Sequence, residues 1–419
     1  MFYHLQDFFT IRRMERKIRL LVLTHNYPRF EGDYSGVFIS LLTKQLAGLG
    51  VEPIVLAPHD REAAEPVEAR PDGHEQTDGV TIYRFRYADD PEDEKLAYRG
   101  NMEQRVFGSL SGPLKFHRFL NRFRSAALDI IKKENIQVVA GHWLVPSGIV
   151  MKKIASGRAG LPMILSSHGT DIRLMKKHGW IAYPYFKRFC RGLKKWTVVS
   201  SFLKEEIIRL DSSLAGTLEV LPLPHNEAIF YKDERIQCES DLVVSVTRFT
   251  HQKRVDYLVK AFATAVKKRP QVKLEIYGYG PLQADIERLI KDLDLQRKVT
   301  LFPPVRQEEL REVYNRAAIV VLNSFEEGFG LTLSEAMLCG AAVVGTDSGG
   351  IPDIIKHQKR GVLVPLDDSA ALAEAILELL DNSPLRRTLA DNGYRFAREN
   401  YVSGPLAARY AQMVREALR

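Results

Sequence analysis

Two glutamates, Glu327 and Glu335, flank a Gly328-Phe329-Gly330 turn in the run Ser324-Phe325-Glu326-Glu327-Gly328-Phe329-Gly330-Leu331-Thr332-Leu333-Ser334-Glu335-Ala336. The run follows an apolar stretch at 319–322 and opens a helical pattern near Leu331. Glycines let a backbone approach a ligand closely. The free N–H groups at the start of the helix, at Leu331 and Thr332, suit a phosphate. A carboxylate repels phosphate but accepts hydroxyl protons. Glu335, one turn past Leu331 and on the same face, therefore suits a diol such as that of ribose. Glu327, before the turn, suits a second polyol. A single glutamate here would read as an acidic turn or as compensation of the helix dipole. Two of them around Gly-Phe-Gly favour a ligand.

Arg248 and Lys253 supply the complementary charge. They follow an apolar stretch at 241–246, and two cations can neutralise a diphosphate without a metal. Taken alone they are a basic loop, with His251 and Arg254 beside them. A third turn, Asp347-Ser348-Gly349-Gly350-Ile351-Pro352, offers close backbone approach and a proline at a helix start. In the first half, Ser166-Ser167-His168-Gly169-Thr170-Asp171 and Gly141-His142-Trp143 place histidines where strands should end. A strand-end histidine is usually structural.

These residues need a scaffold that presents strand ends. Short, nearly continuous apolar runs at 18–24, 53–57, 81–85, 136–140, 163–166 and 197–199 alternate with helical patterns. The alternation resumes at 241–246, 272–277, 299–302, 319–322, 342–345 and 362–364 after a polar stretch at 222–239. Such runs predict buried parallel strands in doubly wound α/β sheets. The reading is two Rossmann-like domains, 1–230 and 231–404, with three closing helices near 370–380, 385–399 and 405–418. In an open parallel sheet, ligands bind at the carboxyl ends of the strands. Neither domain's first strand is followed by GxGxxG, so a dinucleotide is not expected.

Composition narrows the class. The 419 residues are 45% hydrophobic and 27% charged, ordinary globular values that exclude a disordered or collagen-like chain. No apolar run approaches the roughly 20 residues of a membrane span. Three separated cysteines, Cys190, Cys238 and Cys339, fit neither a disulfide framework nor a zinc site. The net charge of +8 admits phosphorylated ligands or anionic lipid. No zinc-finger or RNP pattern supports nucleic acid. Residues 1–13 precede the first strand and read as an upstream extension, with order expected to begin near Met14.

Glu327 to Glu335 matches the E-x7-E motif of the family 4 retaining glycosyltransferases, and the chain resembles that family over nearly all its length. Thr247-Arg248-Phe249-Thr250-His251-Gln252-Lys253-Arg254 resembles its G-R-x4-K-G, and Gly278-Tyr279-Gly280-Pro281, the 346–352 turn and 361–365 also fit. Arg254 replaces the usual glycine, and Pro224-His225-Asn226-Glu227 replaces P-N-G-V-D.

The resemblance implies the GT-B fold, two Rossmann-like domains facing a cleft, with 405–419 crossing back onto the first. It implies a donor site of Gly36, Arg248, Lys253, Glu327, Gly328, Phe329, Gly330, Leu331, Thr332 and Glu335. His168 stands beside the transferred sugar, with His168, Glu327, Arg248 and Lys253 as the catalytic set. His142 and Asp171 are the acceptor-side candidates, and Asp171 either orients His168 or touches acceptor. The implied reaction is hexosyl transfer from a nucleotide-diphosphate sugar with retention and with no metal or other cofactor. The leaving diphosphate helps to deprotonate the acceptor, a glycan or lipid-linked glycan of an envelope polysaccharide. An epimerase or hydrolase on this fold, or a non-catalytic sugar-binding subunit, are the alternatives. Basic aromatic segments at 114–133 and 176–196 suit either a solvated face or peripheral contact with anionic membrane. The expected location is cytoplasmic, at or near that membrane.

Overall fold

The structure, a computed structural model, describes residues 17–60, 74–98, 102–157, 160–177 and 179–419. The extension at 1–13, the start near Met14 and the Trp180 side chain lie outside the described residues.

Strands β1 (Ile18–Leu23), β2 (Val51–Pro58), β3 (His74–Thr77), β4 (Val80–Phe85), β5 (Val138–His142), β6 (Met163–Ser167), β7 (Lys195–Val198) and β8 (Leu218–Val220) form one sheet, ordered β3-β4-β2-β1-β5-β6-β7-β8. Strands β9 (Glu239–Val246), β10 (Lys273–Tyr277), β11 (Val299–Phe302), β12 (Ala317–Leu322), β13 (Ala342–Thr346) and β14 (Val362–Val364) form the other, ordered β11-β10-β9-β12-β13-β14. All pairings are parallel except β3 with β4. The second order is the 3-2-1-4-5-6 pattern of a doubly wound sheet, and the first contains it. The order reverses between β1 and β5 and between β9 and β12, which is where a crevice opens.

Helices α1 (Val37–Ala47), α2 (Met102–Phe107), α3 (Gly112–Lys133), α4 (Ile149–Gly157), α5 (Thr170–Lys177), α6 (Gly179–Arg191) and α7 (Ser201–Leu210) belong to the first lobe. Helices α8 (Val255–Lys268), α9 (Gln283–Asp292), α10 (Gln307–Arg316), α11 (Leu331–Leu338), α12 (Ile351–Ile354), α13 (Ser369–Asp381) and α14 (Ser383–Asn400) belong to the second. Helix α15 (Ser403–Ala417) returns to the first, where Leu406, Tyr410 and Val414 join Leu20, Ile39 and Leu46 in one buried cluster. The two crossings between lobes run side by side. The His225 N–H donates to the Tyr401 carbonyl at 2.8 Å, and the Ser403 hydroxyl donates to Glu227 at 3.0 Å.

Two strands escape the apolar pattern. β3 is a polar edge strand, and its hairpin turns on Asp78 and Gly79, with φ of 51° and 77°, the positive pair that an Asp-Gly hairpin requires. β8 is only three residues long. The aromatics of 176–196 are mostly core rather than surface: Tyr183, Phe186 and Trp196 are buried, and Tyr185 is exposed. The basic face of α3 meets the chain's own acids. Lys115 pairs with Asp93 at 3.0 Å, and Arg118 and Arg122 pair with Asp89 at 2.9 and 3.4 Å. Among the described residues, no helix is long and apolar enough to cross a membrane.

Candidate active site

The donor side is built on the ends of β9, β12 and β13. After β9, Lys253 closes a short 3-10 turn and ion-pairs with Glu327, on the loop after β12; both side chains are largely buried. Burial alone would raise the Glu327 carboxyl, but the Lys253 ammonium, together with Ser324 and Arg173, outweighs it and holds Glu327 below its ordinary value. The residue after Lys253 must be left-handed, and Arg254 adopts φ 45° where the family pattern has glycine. Its guanidinium reaches Asp367 at 2.7 Å, and its carbonyl accepts from Asn323 at 3.1 Å, which offsets part of the cost of that conformation. Arg248 shares this loop, but its side chain is exposed and pairs with none of the described residues.

The turn at 347–352 supports the Glu327 loop. Gly350 donates its N–H to the Glu327 carbonyl at 2.7 Å. A Cβ on Gly349 would stand 2.4 Å from that carbonyl oxygen, so only glycine fits. Helix α11 then begins at Gly330, with φ 113°, and its first N–H groups, at Leu331 and Thr332, have no intrahelical acceptor. The Phe329 side chain is 4% exposed and packs 5.3 Å from Tyr401 at the lobe crossing, which anchors the loop and leaves only the Phe329 backbone to face a ligand. His225, a departure from the family pattern, lies in the same layer and hydrogen-bonds Ser334 at 2.7 Å.

Glu335, on the second turn of α11, is buried and accepts the Tyr314 hydroxyl at 3.0 Å. Burial pushes its carboxyl up to about 8. Without ligand it is mostly neutral at pH 7. Hydroxyl donors would favour its ionised form.

The other wall comes from the ends of β1, β5 and β6, adjacent in their sheet, which carry His25, His142 and His168. His142 Nδ1 lies 3.0 Å from His168 Nε2, with Trp143 and Phe38 packed 4.5 and 4.8 Å from the His168 ring. Burial drives His25 down to about 4 and His142 to about 3, and lowers His168 well below its ordinary value, so all three are neutral at pH 7. Asp171 is also buried. Its carboxylate accepts the N–H groups of Leu144 at 2.8 Å and of His168 and Gly169 at 3.2 Å. It holds the His168 backbone rather than presenting itself to an acceptor. Gly36, with φ 70°, precedes α1, and a Cβ there would stand 2.2 Å from the Asn26 carbonyl oxygen. Crowding inside its own lobe is enough to require glycine.

The walls meet. A Cβ on Gly328 would stand 3.0 Å from the His168 carbonyl oxygen, and one on Gly169 would stand 3.2 Å from the Gly328 Cα. Arg173 of α5 donates to Gln252 at 3.1 Å and to the Glu326 carbonyl at 3.3 Å, and Lys176 pairs with Glu326 at 2.9 Å. The structure thus brings Lys253, Glu327, Gly328 and His168 to one cleft and leaves the Phe329 side chain and Asp171 behind it. Arg173, Gln252, Tyr314 and His25 were not singled out from sequence. His25 was within reach, because it too follows a strand that borders the crevice.

Comparison with known proteins agrees with this geometry. The family model for glycosyl transferases group 1 matches residues 227–396, and that for glycosyltransferase family 4 matches residues 35–226. The chain is 25% identical to an N-acetyl-alpha-D-glucosaminyl L-malate synthase of Bacillus anthracis, over 70% of this chain and 78% of that protein. It is 24% identical to a putative teichuronic acid biosynthesis glycosyltransferase of Bacillus subtilis, over 92% and 95%. A sucrose-phosphate synthase from Thermosynechococcus elongatus superimposes with a TM-score of 0.74 at 20% identity, over 95% and 98% of the two chains. Two consecutive family models, a shared two-lobed fold and glycosyltransferase relatives along the length agree: the chain belongs to the family 4, group 1 glycosyltransferases and has their GT-B architecture.

Proposed function

We propose that this glycosyltransferase moves a hexosyl group from a nucleotide-diphosphate sugar to a glycan or lipid-linked acceptor of an envelope polysaccharide, with retention and without a metal. The observation that carries the reading is the largely buried Lys253–Glu327 pair; Glu327 lies on the loop that leads into α11 and whose Gly328 meets the His168 carbonyl of the other lobe. Lys253 and the amides of Leu331 and Thr332 would stabilise the leaving diphosphate, which is where negative charge develops. Arg248, exposed at the start of the loop after β9 that carries Lys253, would add a second cation. Glu335 would take the ribose hydroxyls and Glu327 those of the sugar. The departing phosphate oxygen would accept the acceptor proton, so no protein nucleophile is required. The teichuronic acid relative supports an envelope glycan as the product class.

Membrane contact, in this reading, rests less on α3 charge than on an apolar turn. Phe107, Leu110 and Leu114, between α2 and α3, are 73%, 105% and 73% exposed. Anionic liposomes should sediment the protein, and Leu110→Asp should abolish that. Sedimentation unchanged by Leu110→Asp refutes this placement.

The decisive experiment is a thermal-shift panel of nucleotide sugars, followed by product analysis with the stabilising donor in excess EDTA. A disaccharide or glycosylated lipid is expected. Free sugar or an epimerised donor alone would favour a hydrolase or epimerase. Stabilisation without any product would favour a sugar-binding subunit. Activity that vanishes in EDTA and returns with magnesium would overturn the metal-free reading.

A further inference from the structure

The His142–His168 contact has a consequence for the transferred sugar. Both imidazoles are neutral, so each carries one N–H and one lone pair. At 3.0 Å between His142 Nδ1 and His168 Nε2, one nitrogen must donate and the other accept. The rings are nearly parallel, at 9°, and aromatic side chains, Phe38 and Trp143, lie against the His168 ring. The remaining ring nitrogen, His168 Nδ1, is buried and has no hydrogen-bond partner. A buried N–H without a partner is rarer than a buried lone pair without one. The arrangement therefore favours His168 Nε2–H donating to His142 Nδ1, with the His168 Nδ1 lone pair left to receive a hydroxyl.

We infer that His142 is a positioning residue: by accepting from His168 Nε2 it fixes the His168 tautomer, so that Nδ1 accepts a hydroxyl proton of the donor sugar. The inference rests on the proposed place of His168 beside that sugar. It assigns His142 to the donor step rather than to the acceptor.

The test combines imidazole nitrogen NMR with kinetics on the full-length enzyme. The wild type should show His168 as the Nε2–H tautomer. His142→Phe keeps a flat ring but cannot accept, so His168 should become a tautomer mixture. The kcat/KM for the nucleotide sugar should fall about tenfold, the order of one hydrogen bond, while affinity for the bare nucleoside diphosphate stays unchanged. His142→Gln, whose amide oxygen can accept, should restore part of the loss. A purely structural role would instead lower diphosphate affinity and melting temperature together. An Nδ1–H tautomer in the wild type overturns the inference without any variant. His168→Ala separates the two layers. If it leaves kcat/KM intact, the donor-site reading of His168 fails. If it lowers kcat/KM and His142→Phe does not, only the role of His142 fails.

Discussion

Glu335→Gln should stabilise the empty protein at alkaline pH and weaken nucleotide binding. The carboxyl, on α11, is buried with the Tyr314 hydroxyl as its donor, and its folded-state value is about 8 against an ordinary 4.5. The folded chain thus keeps a proton that the unfolded chain has already lost. Stability from this site is complete below about pH 4.5 and is lost as pH rises through 8. The difference converts to roughly 3–5 kcal/mol at about 1.4 kcal/mol per pH unit. Glutamine keeps the shape and the acceptor for Tyr314 but cannot ionise. Melting curves from about pH 4 to 9.5 should converge near pH 4.5, diverge steadily as pH rises toward 8 and keep a constant gap above it, with the variant higher by several degrees at pH 9. Ribose hydroxyls donating to Glu335 would favour the carboxylate, so binding near pH 7 should release close to one proton. Calorimetry with UDP, GDP and ADP in buffers of different ionisation enthalpy measures that release. The wild type should show it and Glu335→Gln should not. Parallel melting curves, together with proton-neutral binding in the wild type, would refute the reasoning.

Lys253→Ala should lower turnover at least about a hundredfold, by removing a preorganised cation from the leaving group. Lys253→Arg should not restore it, because a planar fork does not replace a point charge between phosphates. Glu327→Ala should abolish transfer yet leave nucleoside diphosphate affinity within a few-fold; equal losses in Glu327→Ala and Glu335→Ala would contradict this division of roles. Gly328→Ala would place a methyl 3.0 Å from the His168 carbonyl, and misalignment on that scale should cost roughly a hundredfold in kcat. Small-angle scattering with donor bound should show that variant less closed than the wild type. Phe329→Ala should cost about 3–5 kcal/mol in chemical denaturation, as a buried aromatic does; a loss confined to donor binding would return Phe329 to the donor site.

What was legible from residues alone follows the physics of each element. Buried parallel strands are continuous apolar runs, so both lobes and nearly every crevice strand could be read. β3 could not, because an edge strand facing water needs no apolar side chains, and its Asp78-Gly79 turn lay hidden in an acidic stretch. Charge and glycine spacing singled out Lys253, Glu327, Gly328 and Glu335 as candidates, since phosphate and polyol chemistry restrict residue type; the structure pairs the first two and sets Gly328 against the His168 carbonyl. The same signals gave no hint that the Phe329 side chain packs against Tyr401, because an aromatic inside a glycine turn reads as a ligand contact. The glycines of the third turn also shift in meaning: Gly349 and Gly350 yield to the backbone of Glu327 and Gly328, not to a ligand. Pairings between distant segments, such as His142 with His168 and Arg173 with Glu326, have no local signature.

Charge balance in the cleft links these features to the proposed reaction. In the empty site Lys253 is neutralised by Glu327, and both side chains are mostly withdrawn from water. Removing either partner alone would strand the other, which is costly at such depth. In the proposed reading a bound diphosphate would bring its own negative charge to Lys253 and release Glu327 as a sugar hydroxyl becomes available to it. In the proposed metal-free reading the added negative charge falls on Lys253, Arg248 and the free amides at the start of α11. Glu327 is held ionised by the cation beside it, whereas Glu335 has none and is held neutral by burial. Arg173 and Lys176 grip Glu326 from the opposite lobe. Because Glu327 is the next residue, the proposed release of Glu327 predicts that donor exchange and cleft opening are coupled.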